Sequence, residues 1–140
     1  MGTLLRVLLV AVLASIGLLA ATSTASADAP VVTSFHTHFV DVNPCAPGTT
    51  HTVTIDATVS TVSSAGATVV HFDRHVSTSS GFAGNGEATF VFNAQNTVFT
   101  LHDVLFGPDG SKLLAGGTLI FDATTGEPKL LNAGLRCVQQ

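Results

Sequence analysis

Six histidines are distributed over a chain of 140 residues, and several fall at spacings that matter for chemistry. His36 and His38 stand two residues apart, and so do successive members of the set His71, Asp73 and His75. In an extended chain alternate residues share a face, so the imidazoles of His36 and His38 project from one side of their strand with Cβ atoms roughly 7 Å apart. If the segments that bear them lie side by side, one face carries His36 and His38, then Thr54, Asp56 and Thr58, then His71, Asp73 and His75. Imidazole and carboxylate together suit Zn²⁺ or Cu²⁺, which makes His36, His38, His71, Asp73 and His75 the candidate metal ligands. The competing reading is a solvated polar face. The two histidine-bearing strands would stand about 9.6 Å apart across the middle one, and the spacing matches no zinc signature. His51 and His102 have no partner readable from the sequence.

Two charged residues interrupt faces that otherwise read as apolar. Arg74 alternates with Phe72 and Val76, and Asp103 alternates with Leu101 and Leu105. A buried charge is costly unless paired. The two therefore pair with each other, face a lumen that holds a polar ligand, or one of them is turned outward by a local bulge. If an interior binds a small molecule, Arg74 and Asp103 are its candidate ligand-binding residues. No catalytic residue is assigned. The chain has no G-x-S-x-G elbow, no H-E-x-x-H, no phosphate-cradling glycine loop and no paired zinc-type cysteines, and nothing in it calls for a cofactor. It has no Trp or Tyr, so the usual platforms for stacking sugars or single-stranded bases are missing. Its nine Phe alternate with polar residues and read as core.

The elements that must position these residues are strands. Thr, Val, Ser, Phe and Gly dominate, and β-branched or aromatic runs alternate with polar residues between Gly, Asn, Asp and Pro. About seven strands are expected: Val31–Val42, His51–Val62, Thr68–Ser77, Ala88–Asn93, Thr97–Phe106, Leu113–Asp122 and Lys129–Val138. In the second, Val53, Ile55, Ala57 and Val59 face inward, the pattern of a half-buried antiparallel strand. Thr78 to Gly86 reads as the longest loop, and Gly116-Gly117 as a bulge or sharp bend.

The ends of the chain set the compartment. Arg6 precedes an almost wholly apolar run, Val7 to Ala21, and Ala25-Ser26-Ala27 follows. That order is the pattern of a secretory signal peptide, residues 1–27, cleaved after Ala27. Residues 28–140 are then a single secreted β-domain, with no integral membrane association after processing. Its nine acidic residues face only Arg74, Lys112, Lys129 and Arg136, a balance that argues against nucleic acid as a partner. The only two cysteines, Cys45 and Cys137, form a disulfide in an exported chain. A disulfide needs Cα atoms within about 7 Å, so the turn after the first strand must meet the last strand. The expected fold is all-β, an antiparallel meander closed into a small barrel, with a two-sheet β-sandwich as the alternative.

The run Phe39-Val40-Asp41-Val42-Asn43-Pro44-Cys45, with Thr-rich strands after it and a cysteine three residues from the end, resembles a group of small secreted actinobacterial proteins. Those carry an Asn-Pro-Cys turn after the first strand and a partner cysteine in the last. The resemblance implies an antiparallel β-barrel-like fold and carries over no catalytic residue. The function expected is that of a secreted binding or surface-associated module whose partner is an unknown small molecule or protein. The alternatives are a barrel enzyme, hydrolase or isomerase, using the His/Asp face, and a structural module of the cell envelope without a ligand.

Overall fold

The computed structural model describes residues 29–139; the expected leader, residues 1–27, lies outside them. Among the described residues the chain forms seven strands: β1 (Val31–Val42), β2 (Thr50–Ser64), β3 (Ala67–Thr78), β4 (Ala83–Asn93), β5 (Asn96–Phe106), β6 (Lys112–Asp122) and β7 (Pro128–Val138). They pair antiparallel in sequence order within one sheet. Among those residues no helix is long and apolar enough to cross a membrane.

Tight turns hold the register. Ala65-Gly66 joins β2 to β3, so that Ser64 pairs with Ala67. At the next hairpin the Asn93 side-chain oxygen accepts the backbone N–H groups of Gln95 and Asn96, at 2.9 and 2.8 Å. Gly107-Pro108-Asp109-Gly110 turns β5 into β6 with Gly110 at φ 83°, in the left-handed region glycine reaches without a Cβ clash. Because side chains alternate with period two, these registers decide which residues meet on each face.

The inward face is apolar and aromatic. Phe35, Phe72, Phe90 and Phe99 form a continuous series with ring centroids 6.1, 5.9 and 4.4 Å apart, separations at which aromatic pairs attract. Leu119, opposite Phe99 on the neighbouring strand, is fully buried. Val53, Ile55, Ala57 and Val59 are all buried, as the alternation in β2 predicts.

The expected meander is present, but its closure into a barrel is not. β1 and β7 lie at the two edges of the sheet and pair only with β2 and β6. Nor are there two stacked sheets, since all seven strands belong to one. Cys45 and Cys137 are bonded, with Cα atoms 5.1 Å apart and a sequence separation of 92. That link satisfies the distance condition at one point just beyond β1 and needs no ladder along the strands. With seven antiparallel strands the two edges also run parallel, and a parallel pair is the less stable one per residue. At the end of the sheet away from the disulfide, Val31 and Leu131 face inward yet remain 54% and 40% exposed. The sheet is coiled around a core and open along the β1–β7 seam.

Two local expectations are corrected. Residues 83–86, read as loop, open β4. A Cβ on Gly84 would lie 3.0 Å from the Leu105 Cα, and one on Gly86 would lie 2.6 Å from the Asp103 Cγ. These glycines let β4 bend tightly against β5, a use of glycine within a strand rather than a sign of its end. Gly116-Gly117 carries no register shift; the irregularity in β6–β7 pairing falls at Ile120/Phe121. Gly117, at φ 145°, instead allows β7 to approach, since a Cβ there would sit 2.7 Å from that of Ala133.

Candidate functional site

The strand registers bring Arg74 and Asp103 to the same inward row. Arg74 pairs with Gly86, and Gly86 pairs with Asp103. The arginine and the aspartate are therefore two strands apart with a glycine between them, and no intervening side chain keeps them from meeting. The Arg74 guanidinium donates through Nη2 to Asp103 Oδ2, forming an ion pair whose side chains are 5% and 8% exposed. Neither residue is turned outward by a bulge. Burial raises the Asp103 carboxyl above its ordinary value, and the adjacent Arg74 charge opposes that shift. Two atoms of the pair, Arg74 Nε and Asp103 Oδ1, are buried without a hydrogen-bond partner.

The pair lines a cavity of about 320 Å³ inside the coiled sheet. The phenylalanine series fills the end of the core near Val31, and Phe99 bounds the cavity on that side. Ile55, Val76, Leu105 and Leu113 supply apolar wall, and small inward residues such as Ala115 and Ala133 leave the space unfilled. Phe39 of β1 and Leu135 of β7 are both lining residues, so the seam between the edge strands borders the cavity.

At the other end lie Asp41 and His51, a pair that sequence reasoning missed. They stand opposite each other on β1 and β2, are 7% and 4% exposed, and line the same cavity. His51 Nδ1 is hydrogen-bonded to Ser80 Oγ at 2.8 Å, and Asp41 Oδ1 accepts the Val42 N–H at 2.7 Å. Burial raises the Asp41 carboxyl, against the pull of the Val42 N–H and of His51. Burial likewise lowers the His51 imidazole, against the attraction of Asp41. A signal for both was present: Asp41 continues the inward phase of Phe35, Thr37 and Phe39, and His51 precedes Val53 and Ile55 in theirs. The Asn43-Pro44-Cys45 turn sits just beyond. There the Asn43 side-chain oxygen accepts the Cys45 N–H at 3.0 Å, positioning the cysteine for its bond to β7.

The histidine-rich face is on the outside, where alternation puts it. His36, Asp56, His75 and Asn85 form one cross-strand row. His36 Nδ1 donates to Asp56 Oδ1 at 2.6 Å, with both side chains more than half exposed. His71 bonds to Thr89 at 3.0 Å and to Asp73 at 3.3 Å, and His75 bonds to Asn85 at 3.1 Å. His38 stands beside His36 with ring centroids 6.5 Å apart. The five candidate ligands share a face, but only His71 and Asp73 bond to each other, while His36 and His75 are held by Asp56 and Asn85. Among the described residues no three His, Cys, Asp or Glu side chains converge as a metal-holding group. An exposed pair such as His36–Asp56 contributes little to stability, on the order of 0–1 kcal/mol.

No family model, curated protein or solved structure matches this chain.

Proposed function

We propose that this is an exported binding module that holds a small, largely apolar molecule inside its coiled sheet. The observation that carries the reading is a cavity of about 320 Å³ with apolar walls and one buried ion pair, Arg74–Asp103, set into them. Ligand sites are typically clefts of roughly 300–1,000 Å³, mostly apolar with a few convergent polar groups. Export is supported by the Cys45–Cys137 disulfide, which belongs to an oxidising compartment, and by the leader pattern of residues 1–27. The outer histidines serve as a solvated face in this reading, since each bonded imidazole is engaged by a strand neighbour.

The test is uptake of a neutral, environment-sensitive dye, N-phenyl-1-naphthylamine, by the mature protein, together with native mass spectrometry of protein recovered from its own medium. Expected are a saturable one-to-one rise in fluorescence and its loss in Ala115→Phe, which fills the cavity. Absence of both dye uptake and any retained molecule would refute the binding reading.

A further inference from the structure

Resting on that binding reading, we propose that the cavity takes an amphiphile with a primary ammonium head, an alkylamine, and that the Asp41 carboxylate is the counter-ion of that head. Of the residues lining the cavity, the aspartates and the arginine are Asp41, Asp103 and Arg74. Arg74 and Asp103 neutralise each other in their ion pair. Asp41 is only 7% exposed, and among the described residues no lysine or arginine pairs with it. The neighbouring His51 does not compensate it at neutral pH, because burial holds that imidazole below its ordinary value. A carboxylate buried without a counter-ion is costly, and a bound cation offsets the cost.

The carboxylate also has an atom free to meet a ligand. Asp41 Oδ1 accepts the Val42 N–H, while Oδ2 makes no hydrogen bond. Among the described residues the unbonded side-chain atoms sealed away from any accessible space are Arg74 Nε and Asp103 Oδ1; Asp41 Oδ2 is not one of them. The same holds for His51, whose Nδ1 is bonded to Ser80 Oγ while Nε2 is unengaged and not sealed. The two residues stand opposite each other on β1 and β2, which sets their Cβ atoms roughly 4.5–5.5 Å apart. An ammonium nitrogen carries three donors and no acceptor. It answers Asp41 Oδ2, and in the tautomer that donates Nδ1–H to Ser80 it answers His51 Nε2 as well.

Other heads fit less well. A carboxylate brings a second negative charge beside Asp41, and the Arg74 guanidinium that could answer it is already held by Asp103. A carboxamide can donate to Oδ2 but leaves the charge uncompensated. The body must be apolar, since Ile55, Val76, Leu105 and Leu113 form the walls. An octyl chain with its nitrogen occupies roughly 270 Å³, taking roughly 30 Å³ per non-hydrogen atom, within the cavity volume of about 320 Å³.

The experiment is displacement of bound N-phenyl-1-naphthylamine from the mature protein at neutral pH by three compounds of equal chain length: octylammonium, octanamide and octanoate. Octylammonium is expected to displace the dye at a concentration lower by about tenfold or more than either of the others, the margin of a charge-assisted hydrogen bond over a neutral one. In Asp41→Asn, with displacement corrected for the variant's own dye affinity, that lead should vanish. A flat series on the wild-type protein, or one led by the amide or the carboxylate, overturns this inference and leaves the cavity reading standing. An ammonium lead that survives in Asp41→Asn also overturns it, because the preference then belongs to another group. If the variant does not fold, the wild-type protein decides through its amide NMR shifts on adding octylammonium. Shifts largest at Asp41, Val42 and His51 support the assignment, and shifts centred on Gly86 and Asp103 overturn it. No dye uptake and no retained molecule removes both readings together.

Discussion

Replacing Asp103 by leucine removes the counter-ion of a guanidinium whose side chain is only 5% exposed. Arg74 cannot shed its proton, so the variant must bury an uncompensated charge or distort to hydrate it. Breaking a buried pair in this way costs about 3–5 kcal/mol, against a total stability of about 5–15 kcal/mol for a domain. Arg74→Met should cost a comparable amount, because it strands the Asp103 carboxylate and leaves burial to drive its pKa further up. Arg74→Met/Asp103→Leu removes both charges and fills their space with apolar volume, so it should recover most of the loss or exceed the parent. The assay is equilibrium urea unfolding of the oxidised protein, read as the midpoint at constant slope. Each single variant should also melt at least about 12 °C lower, taking roughly 4 °C per kcal/mol for a domain near this size. Single losses under about 1 kcal/mol would mean that water screens the pair. Single losses that simply add in the double variant would mean that the two side chains act independently, and either result would refute the buried-pair account.

Three further outcomes are expected. Gly117→Ala should destabilise the protein by more than about 2 kcal/mol in thermal unfolding, because its φ of 145° and the nearby Ala133 Cβ leave no room for a side chain. Gly134→Ala, with nothing within 4 Å of the added carbon, should change stability by less than about 1 kcal/mol. His51 has its pKa held below 6.5 by burial, so it contributes stability that is present above pH 6.5 and is lost as pH falls through its lowered folded value. His51→Gln should flatten the decline in melting temperature between pH 7 and 5; Asp41, raised by burial, acts in the opposite sense at lower pH. Reducing the Cys45–Cys137 bond, which closes a loop spanning 92 positions, should lower unfolding free energy by up to about 4–5 kcal/mol. It should also raise hydrogen exchange along β1 and β7 before the other strands, because those edges have one ladder each.

Much of the fold can be read from alternation. The bounds of β1 coincide with the run Val31 to Val42, and the inward set Val53, Ile55, Ala57 and Val59 follows from polar residues at every intervening position. The start of β4 was illegible for a physical reason: Gly84 and Gly86 look like loop residues until the β5 backbone is placed against them. Arg74 and Asp103 stand out in sequence as charges on apolar faces. Their meeting depends on register, since only the pairing of both with Gly86 puts a residue without a side chain between them. Asp41 and His51 lie within strands whose phase was already clear, at the inward positions next to Phe39 and Val53.

Sequence alone determined the class, an all-β antiparallel meander, because period-two patterning and short turn signals are local properties that survive without knowledge of the whole. It also determined the partners of the cross-link, since a chain with two cysteines has one intramolecular pairing. Only the tertiary structure decided that the sheet stays open. Whether β1 meets β7 depends on the accumulated coil of six strand pairs, a sum over the whole sheet that no local pattern encodes. The same sum leaves a cavity beside the Phe99 cluster and turns two inconvenient charges into a buried pair.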